Sequence, residues 1–351
     1  MSDQRNSCPK PGITLSGRAT TTPDMSRNSL FKVKTLPDDA AGAPEDSTPT
    51  PVIDMWAPIV PATEIVDDLR AGFPAEQLRY LEVFTKTRLT TEQFAAYAES
   101  LRRSDDAILA ELDAAGIRLS LITGFDEHST CGVTFVHNES VAALAARHPD
   151  RFIPFAGADV MSGTSGLDQL EHWITDRGFR GLSLRPFMIG RPASDPAYFP
   201  YYAKCVELGI PLSIHTSANW TRTRPSELGH PRHIDDVACR FPELTILMSH
   251  AGYPWVLDAC LIAWKHPNVY LELGAHRPRY FAAPGAGWDA LMRFGQSTIR
   301  DKVVYGSGAF LINRPYQLLC DEMRALPVDP TTLEQWLWRN AARLLGLSGA
   351  D

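Results

Sequence analysis

From position 51 onward the chain repeats one unit: a short apolar run rich in branched residues, a loop, then a segment with apolar residues at helical spacing. The runs fall at 52–56, 119–124, 152–158, 179–185, 210–215, 244–250, 268–274 and 302–307. Apolar stretches this short, without polar alternation, read as parallel strands buried on both faces. Strand–helix alternation repeated to eight predicts a closed α/β architecture, a TIM-like (β/α)8 barrel over residues 51–348. An open doubly wound sheet is the competing arrangement, but no Gly-rich phosphate turn follows any run.

Helix signals sit where the barrel needs them. Thr90 with Gln93 forms a capping box that opens a helix carrying Phe94, Tyr97, Leu101, Ile108, Leu109 and Leu112 as far as Gly116. Further helices are expected over 138–147, 165–176, 198–208, 231–240, 255–264, 287–297, 315–325 and 331–345. Residues 1–50 are rich in Ser, Thr, Pro, Asp and Gly without apolar periodicity, so they are expected to form a disordered tail.

Composition narrows the partners. A net charge of -7 provides no basic field for nucleic acid, and no apolar segment approaches the ~20 residues that span a bilayer. The six cysteines are dispersed without a CxxC pair, which fits a reducing, cytoplasmic setting. Small molecules are the expected partners. Tyr, Trp and Arg residues of the late loops could serve a homodimer interface.

In such a barrel, side chains at the carboxyl ends of the strands share one mouth. It receives Asp54, Trp56, Asp126, Glu127, His128, Asp159, Arg185, His215, Asn219, Trp220, His250, Glu272, His276 and Ser307. Two imidazoles on adjacent strands, His215 and His250, can move protons, or hold a divalent metal such as zinc weakly. Arg185 could clamp a substrate carboxylate in a bidentate contact. Asp54 completes the catalytic candidates. Trp56, Asn219, Trp220, Glu272 and His276 are the candidates for substrate contact, Trp56 by packing on a flat ring. The 126–128 cluster reads as a solvated loop.

The chain also resembles the amidohydrolase-related family that includes aminocarboxymuconate semialdehyde decarboxylase and resorcylate-type decarboxylases. The likeness rests on Pro149-Asp150-Arg151-Phe152, Gly178-Phe179-Arg180-Gly181-Leu182, Gly209-Ile210-Pro211-Leu212, Phe241-Pro242-Glu243-Leu244, Ser249-His250-Ala251-Gly252 and Arg339-Asn340-Ala341-Ala342-Arg343-Leu344-Leu345-Gly346. It implies a barrel, often dimeric, acting on small carboxylated or cyclic compounds by hydrolysis, decarboxylation or hydration. It also implies a metal bound by Asp-x-His-x-His on the first strand, histidines on the fifth and sixth, and an Asp after Gly-Ser on the eighth. Here His215 and His250 match, but Trp56 and Pro58 stand at the two first-strand histidine positions and Gly308 at the aspartate position. The expectation is therefore an enzyme acting on a small aromatic or unsaturated carboxylate with a weak or absent metal. A weakly metal-dependent hydrolase and an inactive ligand-binding barrel are the alternatives.

Overall fold

The computed structural model describes residues 50–73, 78 and 88–347. But for Thr50, the expected tail lies outside the described residues, as does most of the segment between the first two helices.

Eight strands pair in parallel and in chain order: β1 Val52–Asp54, β2 Ile117–Thr123, β3 Phe152–Gly157, β4 Leu182–Leu184, β5 Leu212–His215, β6 Ile246–Ser249, β7 Val269–Glu272 and β8 Val303–Val304. The sheet closes where β1 meets the end of β8. Met55 N donates to Tyr305 O at 2.9 Å, Gly308 N to Trp56 O at 2.9 Å, and Ser307 N to the Asp54 Oδ1 at 2.8 Å.

Strand alternation sorts the side chains into two sets. Val52, Ile117, Leu182, Leu212, Ile214, Ile246, Met248 and Leu271 pack outward against the helices, while Ile53, Met55, Leu121, Phe155, Leu247 and Val304 fill the barrel. Ala341, Ala342 and Leu345 plug its lower end. Each fully buried aliphatic or aromatic side chain contributes about 1.5–3 kcal/mol. The same alternation turns Ser213 and His215 inward between outward Leu212 and Ile214, and Ser213 hydrogen-bonds Ser249 at 3.1 Å directly below the mouth.

The expected helix through 90–116 is two. Thr90 and Gln93 make the reciprocal capping box of Thr91–Leu101, but the chain turns at Arg102 and restarts as Asp105–Ala115. Ser104 caps that restart by accepting from Ala107 N, and two aspartates follow in its first turn, where they favour a new amino terminus. The segment after β2 adds a short antiparallel ribbon, Phe125–Asp126 with Thr134–Val136, that the sequence pattern does not foretell. The last helix contains a π segment, Gln335–Arg339, between Pro330–Glu334 and Asn340–Leu344.

Candidate functional site

The mouth is built on two histidines. The rings of His215 and His250 stand edge to face, 5.0 Å between centroids, so the two strand ends do deliver them to one place. Phe187 lies 4.5 Å from His215, and Trp56 lies 4.5 Å from His250. The path of rings continues through His276 to Tyr253 and Trp288.

His250 is fixed from both sides. His250 and Ala251 have φ of 68° and 47°, a left-handed conformation that costs a residue with a side chain roughly 1–2 kcal/mol. That turn brings His250 Nδ1 to 2.9 Å from the Gly274 carbonyl. The carbonyl can only accept, so Nδ1 carries the proton and Nε2 presents a lone pair. Glu272 braces both partners: Oε2 accepts from His250 N at 3.1 Å and Oε1 from Gly274 N. A Cβ on Gly306 would lie 1.8 Å from that Oε1, so the close approach requires glycine there.

His215 is held more loosely. Its Nε2 lies 3.1 Å from Ser217 Oγ, while its buried Nδ1 has no partner among the described residues. Burial disfavours the charged form of all three imidazoles. It holds His250 down to about 4 and His276 to about 3, and pushes His215 well below the usual range, with the nearby His250 and Arg185 adding to the effect. The two carboxyl groups move the other way. Burial raises Asp54 to about 6, opposed by Ser307 and the Trp56 amide, and raises Glu272 to about 8, opposed by the His250 and Gly274 amides. At pH 7 the site therefore holds neutral imidazoles and a largely protonated Glu272.

Several expected roles change. Arg185 is not an open clamp: Nε and Nη2 form a bidentate pair with Glu127, and the guanidinium lies 3.9 Å from the Phe125 ring centre. Glu127 is accordingly no solvated loop residue; it is 4% exposed. Asp54, expected to be catalytic, is wholly buried and ties β1 to the end of β8 through Oδ1, which accepts from the Trp56 and Ser307 amides, with no hydrogen bond to Oδ2 among the described residues. Glu272, expected among the substrate contacts, is wholly buried beneath His250 with its two oxygens on backbone amides. The Asn219 amide is spent inside its own loop, on Pro225 O at 2.9 Å and Thr221 N at 3.2 Å. Trp220 stands at the rim, 46% exposed. Phe187, Tyr253 and Trp288 were not singled out from the sequence. Phe187 follows β4 by three residues and Tyr253 follows His250 by three, and that nearness to strand ends was the available signal.

The metal implied by the resemblance does not fit these residues. Zinc sites draw on three or four protein donors. Among the described residues, the only group with three donor atoms within 4.8 Å of one another is Asp235, Cys239 and His266, not at the mouth, and the Lys265 ammonium already sits 2.7 Å from Asp235 Oδ1. At the mouth His250 Nδ1 and both Glu272 oxygens are committed. Indole fills the corner beside Gly308, where a Cβ would come within 2.8 Å of Trp56 Cζ3 and 2.5 Å of Ala275 N.

A closed parallel barrel with imidazoles, carboxyl groups and aromatic rings gathered at the carboxyl ends of its strands is the arrangement of (β/α)8-barrel enzymes. The chain belongs to the amidohydrolase family, whose sequence model matches residues 53–347. It is 27% identical over 191 residues to a 2-keto-4-carboxy-3-hexenedioate hydratase of Sphingobium sp., covering 43% of this chain and 56% of that one. It is 23% identical over 172 residues to a γ-resorcylate decarboxylase of Rhizobium radiobacter, covering 41% and 50%. The chain thus spans about half the length of these curated relatives. Among solved structures, an uncharacterized TIM-barrel protein from Bordetella bronchiseptica superimposes with a TM-score of 0.65 at 26% identity, covering 84% of this chain and 98% of that one. The fold of 5-carboxyvanillate decarboxylase from Sphingomonas paucimobilis also matches, with a TM-score of 0.63 at 16% identity, covering 85% of this chain and all of that one (100%). No described helix is long and apolar enough to cross a membrane.

Proposed function

We propose that the chain is a lyase that decarboxylates a small, planar, aromatic or unsaturated carboxylate without a tightly bound metal. The observation that carries this reading is the ring path Phe187–His215–His250–Trp56, a wall for a flat substrate in which the only groups suited to proton transfer are imidazoles. The two curated relatives named above, a hydratase and a decarboxylase of carboxylated compounds, are consistent with small-carboxylate chemistry.

In the free protein His250 is neutral. An arriving carboxylate places negative charge beside it and raises its pKa, so a proton enters with the substrate. His250 Nε2 then gives that proton to the ring carbon bearing the carboxylate. The electron pair of the carbon–carboxylate bond returns to the ring, carbon dioxide leaves, and the imidazole is again neutral. One carboxylate and one proton give one carbon dioxide and one protonated product. Positioned proton transfer of this kind contributes about 10²–10⁴-fold in rate. Arg185, neutralised by Glu127 but with Nη1 unused among the described hydrogen bonds, orients the carboxylate beside His215.

The test is turnover of a panel of carboxylated phenols and unsaturated carboxylates by protein stripped with chelator, followed by carbon dioxide release. The expected result is turnover of at least one compound at a rate that added zinc or manganese leaves unchanged. Activity appearing only with added metal would overturn the metal-free mechanism. Tight binding without turnover across the panel would favour an inactive ligand-binding barrel.

A further inference from the structure

Outside the mouth, three metal-ligating side chains meet where two helices run side by side. Asp235 and Cys239 stand four residues apart on the helix Arg232–Arg240, which sets them one turn apart on the same face. His266 follows the helix Val256–Lys265 directly. One donor atom from each of the three lies within 4.8 Å of the other two. The reaction proposed for the mouth uses none of them.

The spacings suit a small cation. A tetrahedral zinc ion with bonds of about 2.0–2.3 Å holds its donors roughly 3.3–3.8 Å from one another. His266 Nε2 lies 2.6 Å from Asp235 Oδ1, and no pair in the group exceeds 4.8 Å. Side-chain shifts of about 1 Å therefore carry one arrangement into the other. The donors are also open to an arriving ion. Cys239 is the one exposed thiol among the described residues, and Asp235 Oδ2 accepts no hydrogen bond among them. The Lys265 ammonium marks the place where positive charge is favoured, 2.7 Å from Asp235 Oδ1 and 3.9 Å from Cys239 Sγ. Its side chain is half exposed on a flexible stem, and an exposed ion pair of this kind contributes little, so a doubly charged ion can displace it into water.

We infer that Asp235, Cys239 and His266 form a zinc site, with water as the fourth ligand, that ties the helix Arg232–Arg240 to the end of the helix Val256–Lys265. The mixed sulfur, nitrogen and oxygen set selects zinc over magnesium or calcium, which take oxygen donors. Zinc binds the thiolate, so the Cys239 proton leaves to solvent, and His266 binds as the neutral imidazole. The two helices lead into β6 and β7, so the ion clasps the wall behind the strands that carry His250 and Glu272. This inference is independent of the proposed reaction and can fail without it.

Cobalt(II), titrated into the full chain under a phosphine reductant, reads the site without any activity assay. One equivalent is expected to give a near-ultraviolet thiolate-to-cobalt band with the visible bands of a tetrahedral ion, and one equivalent of zinc to remove both. Cys239→Ser is expected to lose the thiolate band while its circular dichroism stays unchanged. Lys265→Gln, which keeps every donor and removes the competing ammonium, is expected to bind cobalt severalfold more tightly. Should Cys239→Ser fail to fold, Lys265→Gln decides alone. Cobalt bound without a thiolate band, a band that survives Cys239→Ser, or an affinity that Lys265→Gln leaves unchanged would overturn the inference.

Discussion

The two histidines of the mouth stand 5.0 Å apart yet live in different structures. At the β6–β7 corner His250 is tied at Nδ1 and at its amide, which leaves its Nε2 open: Nδ1 to the Gly274 carbonyl, its amide to Glu272, Glu272 to the Gly274 amide. At the β4–β5 corner, among the described residues, His215 leaves a buried nitrogen without a partner, beside a guanidinium with one nitrogen unspent. An unmet buried donor or acceptor costs about 1–3 kcal/mol, and a ligand that meets it recovers that cost on binding. One corner is preorganised for a fixed task, and the other waits for something to arrive.

The contrast breaks most visibly in kinetics. His250→Ala is expected to lower kcat by about 10²–10⁴-fold with little change in KM, the effect of removing a positioned proton carrier. His215→Ala is expected to raise KM by about tenfold, the loss of one hydrogen bond to a charged ligand, with kcat nearly kept. Steady-state kinetics on the best panel substrate measures both. Equal losses of kcat in the two variants would erase the division of labour.

A stability measurement sharpens the same comparison. Gly308 has a φ of 57°, and a Cβ there meets Ala275 N and the Trp56 ring. Gly308→Ala is therefore expected to cost on the order of 2–3 kcal/mol in urea unfolding, through backbone strain and overpacking together. A cost under half a kcal/mol would mean that the corner yields and is not locked.

The smallest effect is a pH slope. Glu272 holds its proton up to about 8 when folded and releases it near 4.5 when unfolded, so its contribution to stability falls as pH rises through that interval. The buried imidazoles act oppositely but only below their unfolded value of 6.5, where unfolding takes up protons and stability climbs with pH. The net curve is expected to peak near pH 6.5 and then decline by about 1.4 kcal/mol per pH unit toward 8. Glu272→Gln, which cannot ionise, is expected to flatten that decline in denaturation curves taken from pH 6.5 to 8, whatever its absolute stability. An unchanged slope would place the titration elsewhere.

Much of this was legible in the residues. Eight parallel strands follow from eight apolar runs, and His215 and His250 come together because both close neighbouring runs. What was not legible depends on where charges find partners across the chain. Arg185 and Glu127 are 58 positions apart, and no spacing announces that one takes the other out of solution. Glu272 reads as a rim carboxylate until the left-handed turn after β6 swings the His250 amide onto it. The break at 102–104 was hidden because apolar periodicity resumes in phase after it, while the local cap at Ser104 overrides continuity.

Trp56 and Gly308 also bear on what this barrel can become. Any side chain at 308 needs the indole moved aside as well as a strained backbone accepted, and removing the indole alone leaves a hollow beside His250. Placing a side chain at that corner thus calls for two coordinated replacements, because the new group at 308 meets the indole and the Ala275 backbone while loss of the indole alone opens a gap beside His250.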